Sequence, residues 1–123
     1  VRISVHVAAP ADPAHLAFSL AYAIQAFEFF ATLLQVPYPF PKLDLIALEK
    51  SHGLGMEHYG AITIVEDHLL VTEATDVTRR RRILRLIGHE VCHQWIGNLV
   101  TPRSFDELWL KEGVARFLEF VAV

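Results

Sequence analysis

The stretch HEVCH, residues 89–93, constrains this chain more than any other feature, because it places two histidines one helical turn apart. On a helix, residues four positions apart project within about 40° of one another, so both imidazoles can reach one metal ion. Glu90 lies about 100° from His89 and borders that face, which suits a general base better than a ligand. The pattern therefore predicts a helix that carries two zinc ligands and a base.

Two other interpretations of this stretch are open. The pattern fixes only three positions, so a buried helix with chance histidines can also produce it. A nucleophilic pair of Cys92 and His93 would need hydrogen-bond contact, but adjacent residues on a helix diverge by about 100°. We therefore interpret Cys92 as a small packing residue.

The next predicted helix, in LWLKEGVARFLEF, offers a third ligand. Glu112 shares one face of it with small and apolar residues and with Glu119. A carboxylate among apolar neighbours is costly unless a cation compensates it. A catalytic zinc takes three protein ligands and keeps one position open. We therefore predict that His89, His93 and Glu112 bind one Zn²⁺ ion, and that Glu119 accepts a hydrogen bond from a ligand imidazole.

The first half of the sequence predicts strands around one long helix. VRISVHV alternates as a strand does, and Asp12 and Pro13 suit the N-cap and first turn of a helix that runs to about Gln35. Three alternating prolines in VPYPFPK predict an extended connector. LDLIAL and AITIVE predict two more strands, separated by the glycine-rich SHGLGMEHYG, a loop or a strand edge that another group approaches closely.

The second half predicts two helices. Thr75 or Asp76 is expected to cap a helix over residues 77–97, and Asn98 and Pro102 are expected to end it. Ser104 and Glu107 have the spacing of a capping box for a last helix that starts near residue 105. The fold class is therefore α+β, with a mixed sheet packed on helices. Because the chain opens on valine and stops inside an apolar helical pattern, we expect it to be a fragment.

Composition excludes little but favours a globular interior. The net charge of −3 offers no general attraction for nucleic acid, and the basic run at residues 78–82 is interpreted as a solvated face or a contact with the remainder of the protein. Residues 16–36 are apolar enough to resemble a membrane span, but a narrow polar stripe favours a buried helix instead. The stripe consists of Gln25, Glu28, Thr32 and Gln35. One cysteine cannot form an internal disulfide, and localisation stays open.

The motifs together resemble a known family. HEVCHQWIGNLVT followed by LWLKEG resembles the HExxH-x18-E signature of the aminopeptidase N family of zinc metallopeptidases, gluzincins that include puromycin-sensitive aminopeptidase. VPYPFPKLDLIAL and GMEHYGAITIVED resemble segments just upstream of that family's zinc helix. The resemblance implies that residues 1–123 form a single partial domain, the first part of a thermolysin-like zincin catalytic domain truncated on its C-terminal side.

The resemblance also implies residue roles. His89, His93 and Glu112 would hold one Zn²⁺ ion, and Glu90 would polarise the attacking water and pass its proton to the leaving amine. Glu57 would match the glutamate of the family's GxMEN motif, which grips the free α-ammonium of a peptide. Gly55 and Met56, in the same segment, would also contact substrate. The remainder of the same polypeptide, which would supply a tyrosine for the oxyanion, is an expected partner.

This sequence departs from the family pattern at three positions beside the expected site residues. Leu54 stands where glycine is common, and His58 replaces the usual asparagine of GAMENWG. Lys111 replaces the usual asparagine before Glu112, and we expect it to face solvent, because adjacent residues on a helix diverge. The hypothesis is a zinc aminopeptidase acting on peptides with a free N-terminus. The alternative is a catalytically silent scaffold or binding subunit. A third hypothesis is an epoxide-hydrolysing relative of the family, which no residue of this sequence requires.

Overall fold

The computed structural model describes residues 1–8 and 10–123, and within them strands and helices follow the predicted order. The strands are β1 (Arg2–His6), β2 (Lys42–Leu48), β3 (Gly55–Met56) and β4 (Ala61–Val65). The α-helices are α1 (Pro13–Leu34), α2 (Val77–Cys92) and α3 (Leu108–Val121). Short 3₁₀ turns cover Glu66–His68 and Phe105–Glu107.

The strands form one mixed sheet in the order β1-β2-β4-β3. β1 pairs with β2 and β2 pairs with β4, both in parallel, whereas β3 runs antiparallel to β4 at the edge of the sheet. A parallel pair needs a crossover, and α1 supplies it between β1 and β2. The predicted α+β class with a mixed sheet is therefore confirmed.

α1 begins and ends as the sequence predicts. The Asp12 side chain accepts the backbone N–H of Ala14, with Pro13 in the first turn, and Gln35 adopts a left-handed conformation, φ 53°, at the C-cap. The helix is long and apolar enough to cross a membrane by length and composition, a property shared by the core helices of soluble proteins. Its inner residues, including Phe27 and Phe30, lie in the hydrophobic core.

The core lies between the sheet and the helices. Burial alternates along β2 and β4, so Leu43, Leu45, Ile62 and Ile64 all point inward. α2 contacts both α1 and α3 and so forms the centre of the helical layer. Its apolar face is completely buried, with Ile83, Ile87 and Val91 at regular helical spacing. This packing fixes the position of α2, the helix that carries HEVCH.

The predicted end of α2 is wrong by five residues. The helix runs from its Asp76 cap to Cys92 rather than to Gly97, and His93 is its C-cap. The backbone N–H groups of Gln94 and Trp95 donate to the carbonyls three residues back, which tightens the chain into turns. Long-range bonds stabilise this early end, since the Trp95 ring N–H donates to the Val36 carbonyl at 2.8 Å.

The predicted capping box is also wrong in its hydrogen bonds. The Ser104 side chain makes no capping bond, and the Glu107 carboxylate accepts the N–H of Arg103 at 3.2 Å instead. Residues Phe105–Glu107 therefore form a 3₁₀ turn, and α3 starts at Leu108. The last helix nevertheless lies where the sequence predicts it.

Candidate metal centre

Three side-chain donors from two helices meet beside the sheet. His89 Nε2 lies 3.1 Å from His93 Nε2 and 3.3 Å from Glu112 Oε2, and His93 Nε2 lies 3.5 Å from the same carboxylate oxygen. Ligands on a tetrahedral zinc with bonds of 2.0–2.1 Å lie about 3.3 Å from one another. The three donors thus have the chemistry and the spacing of a possible zinc site.

The other nitrogen of each imidazole has a partner that assigns its tautomer. His93 Nδ1 lies 2.8 Å from the Ile96 carbonyl, so it donates to that oxygen. His89 Nδ1 lies 2.9 Å from Glu119 Oε2 and donates to that carboxylate. In the neutral rings both Nε2 atoms then carry lone pairs that face each other. Two acceptors at this distance repel each other unless a cation lies between them. A pair of lone pairs that face each other is therefore the arrangement that a metal ion would stabilise.

His93 meets the protonation requirement of a ligand. Its side chain is 1% exposed, and burial lowers its pKa below the ordinary value for histidine. A metal ligand must be the neutral imidazole, so this shift favours the ligating form. His89 is less buried and forms the outer side of the group.

Glu119 connects the centre to a cluster of charges. Its carboxylate is almost completely buried, and it accepts hydrogen bonds at 2.9 Å from His89, Arg85 and Arg116. The Arg85 guanidinium in turn lies 3.9 Å over the Phe120 ring, a cation–π contact. The arginines use one carboxylate oxygen and leave the other for His89. The structure therefore places Glu119 where it orients the His89 ring.

Glu90 lies beside the three donors without joining them. The residue is 4% exposed, and its Oε2 atom has no hydrogen-bond partner among the described residues. Burial, with the nearby charges of Glu57 and Glu112, raises the pKa of Glu90 to about 8. A buried carboxyl oxygen without a partner is uncommon and points to a role outside the packing of the core.

Comparison with known proteins agrees with this geometry. Residues 18–123 match the Peptidase family M1 domain. The chain belongs to peptidase family M1. It is 38% identical to endoplasmic reticulum aminopeptidase 1 of Mus musculus over all of its length. Over 86% of its length it is 39% identical to aminopeptidase N of Lactococcus lactis subsp. lactis and 38% identical to leucyl aminopeptidase of Saccharolobus solfataricus. The chain spans only 12–14% of these relatives.

The GMEH segment of this M1 chain lies against the HEVCH helix. Gly55 approaches Glu90 so closely that a Cβ atom at position 55 would meet Glu90 Cδ at 2.7 Å and Cγ at 2.9 Å. Only glycine fits there while Glu90 keeps its place. Met56 follows on the edge strand and is half-exposed. One edge of this short strand pairs with β4, no other described strand pairs with its second edge, and α2 contacts the strand.

Two polar residues to which the sequence reasoning gave no role in the site hold the segment to the turn after α2. Asn98 Nδ2 donates to the Glu57 carbonyl at 2.7 Å, and Gln94 Nε2 donates to the same oxygen at 3.3 Å. Gln94 Oε1 accepts the N–H of Gly60 at 2.9 Å. Gln94 is completely buried, and a polar residue directly after the second histidine is the signal that could have predicted this role. Leu54 and His58, the two departures beside Glu57, are exposed.

Lys111 is the clear correction to the sequence analysis. It does not face solvent: its ammonium pairs with Glu57 Oε1 and lies 3.4 Å from Glu112 Oε1. Adjacent helical residues do diverge, but Glu112 contacts the imidazoles while Lys111 reaches the Glu57 loop, so both side chains find partners. Burial alone would raise the pKa of Glu57, but the hydrogen bond from Lys111 helps to bring this pKa below its ordinary value.

Proposed function

We propose that this M1 chain forms the metal-binding part of a thermolysin-like catalytic domain in a zinc-dependent aminopeptidase. The observation that carries the proposal is the convergence of His89, His93 and Glu112, next to the buried Glu90, whose Oε2 has no hydrogen-bond partner among the described residues. Membership of a peptidase family, with relatives named as aminopeptidases, supports the reaction class. The substrates proposed are peptides with a free N-terminus.

Each residue of the centre has a distinct task in this proposal. His89, His93 and Glu112 would hold one Zn²⁺ ion, which when bound polarises the scissile carbonyl and acidifies water. Glu90 Oε2 accepts the proton of the attacking water and returns it to the nitrogen of the leaving amine. A cation held by the three ligands would lower the pKa of Glu90, so its carboxylate would be ionised and able to accept the proton.

The edge strand and Glu57 would position the peptide. An extended peptide can add to the free edge of a sheet through backbone hydrogen bonds, and Gly55 and Met56 present such an edge beside Glu90. The Glu57 carboxylate follows directly and can pair with the N-terminal ammonium. Because Asn98 and Gln94 fix the Glu57 backbone, the ammonium would be held at a constant distance from the metal. An enzyme with this arrangement would remove one residue at a time from the N-terminus of the peptide.

The test compares wild-type full-length protein with Glu90→Gln. Glu90→Gln should keep one zinc per chain but lower kcat for aminoacyl amides by about 100- to 10,000-fold, because the amide cannot accept the proton. Glu73→Gln, at an exposed position, is the matched control and should leave both unchanged. Metal content is measured by mass spectrometry and turnover with an aminoacyl-amide panel.

Two results would count against the proposal. Wild-type turnover in Glu90→Gln would mean that Glu90 does not take part in the reaction. A wild-type protein that binds zinc but hydrolyses no aminoacyl amide would favour the alternative, a catalytically silent scaffold or binding subunit.

A further inference from the structure

Lys111 is part of a partly buried group of charges beside the candidate metal centre. Its ammonium pairs with Glu57 Oε1 and lies 3.4 Å from Glu112 Oε1, and its side chain is only 18% exposed. The two acceptors come from different parts of the fold, the loop after β3 and helix α3. Lys111 therefore bridges the loop proposed to hold the substrate amine and a proposed metal ligand.

The aliphatic part of the Lys111 side chain packs against the backbone at Gly97. A Cβ atom at Gly97 would lie 2.7–2.9 Å from the Lys111 Cγ, Cδ and Cε atoms, so the lysine stem fills the space that a side chain at position 97 would need. Gly97 has φ 115°, a conformation that side chains rarely adopt, so the turn itself keeps this position free. The aliphatic chain that carries the ammonium to Glu57 is therefore packed against the protein, whereas that of a surface lysine is solvated.

The group that Lys111 presents to Glu57 resembles the N-terminus of a peptide. Both are ammonium ions on a tetrahedral carbon, with three N–H donors and no acceptor. A second ammonium brought to the same carboxylate would be repelled by the first, because like charges a few ångströms apart in a partly buried site interact strongly. Glu112 Oε1 gives a displaced Lys111 another acceptor, since Glu112 Oε2 is the oxygen that faces the imidazoles.

We propose that Lys111 is a specificity-determining residue that occupies the amine subsite at Glu57, so that a substrate ammonium binds only by displacing it. The inference rests on the proposed function in one respect, the assignment of Glu57 to the substrate amine. Lys111 thereby weakens the binding of free amines and reduces the preference for peptides with a free N-terminus over N-blocked peptides.

The experiment measures amine binding apart from turnover. Isopentylamine, an alkylamine that cannot be hydrolysed, and its N-acetyl derivative are titrated calorimetrically into full-length protein, with and without zinc. Lys111→Gln should bind isopentylamine about tenfold more tightly than wild type, and the acetylated probe equally. Lys111→Arg, which keeps the charge, and Lys50→Gln, which removes an exposed charge elsewhere, should both behave as wild type. Adding Glu57→Gln to Lys111→Gln should abolish the gain.

Several outcomes would overturn the inference: an unchanged or weaker affinity of Lys111→Gln for isopentylamine, an equal gain for the acetylated probe, or no amine binding by any variant. In the zinc-loaded protein the expected kinetic effect is a fall in KM for a free aminoacyl amide, with a smaller change in kcat. If no variant hydrolyses the amide but Lys111→Gln gains amine affinity, the proposed function fails and the inference stands.

Discussion

At the scale of single residues, the proposed metal centre depends on the groups that orient its imidazoles. His93 donates to a backbone carbonyl, which no substitution removes, whereas His89 donates to the Glu119 carboxylate. Both Glu119 oxygens act only as acceptors, one for two arginines and one for His89. The hydrogen bond that orients His89 therefore depends on one buried carboxylate.

The first prediction concerns this carboxylate. In Glu119→Gln the amide nitrogen must face either the arginines or the His89 N–H, and both are donors. We expect zinc affinity to fall by about 10- to 100-fold. Competition with a chromophoric chelator measures the zinc affinity. Glu28→Gln on the exposed face of α1 is the control and should bind zinc as the wild type does. Wild-type affinity in Glu119→Gln would mean that the carboxylate does not orient the ligand.

At the scale of elements, the close approach of β3 and α2 decides where Glu90 lies. The strand is only two residues long, and its register with β4 places Gly55 opposite Ile64. A side chain at position 55 would overlap the Glu90 side chain, so the two elements can pack this tightly only through glycine. The space around Glu90 is thus set by an element far from it in sequence.

The second prediction tests this contact. Gly55→Ala should displace the Glu90 carboxyl or push β3 outward, so kcat/KM for aminoacyl amides should fall at least about tenfold, while zinc content stays at the wild-type value. Gly53→Ala in the same loop is the matched control, because a Cβ there meets only one backbone oxygen, at an ordinary 3.5 Å. Equal losses in both variants would attribute the effect to the loop in general.

At the scale of the whole molecule, α3 packs against α2 with few of its own residues completely buried. The face of α3 that packs inward is narrow, with Ala115 and Glu119 its buried residues, while Trp109 and Phe117 are mostly exposed. A metal ion bound to His89, His93 and Glu112 would connect the two helices. Binding to the folded state alone would then stabilise the fold.

The third prediction follows from that linkage. Zinc at a free concentration of 1,000 times its Kd should raise the free energy of unfolding of the chain by about 4 kcal/mol, and a chelator should reverse the gain. His93→Ala should abolish the zinc-dependent increase, and Mg²⁺, which prefers oxygen ligands, should give none. Thermal unfolding followed by circular dichroism measures the change in stability with each metal ion, for the wild type and for His93→Ala. An equal zinc effect in His93→Ala would mean that the ion binds elsewhere.

The sequence by itself determined the features that depend on local periodicity and local hydrogen bonds. His89 and His93 share a helix face because of the helical repeat, Asp12 and Asp76 cap helices through bonds to residues two or three positions on, and the strands follow from alternation. The positions of Glu112 and Glu119, one turn and three turns into the last helix, follow from the same repeat once that helix is predicted.

Only the tertiary structure decided what depends on elements distant in sequence. The turns after Cys92 form because Trp95 and Gln94 bond to distant backbone groups, which outweighs the local tendency to continue the helix. Lys111 pairs with Glu57 because α3 runs past the loop after β3, a juxtaposition that no helical repeat encodes. Helical spacing fixes the directions of side chains on one element. The packing of several elements fixes which charges meet, and so whether Glu57 is free or already paired.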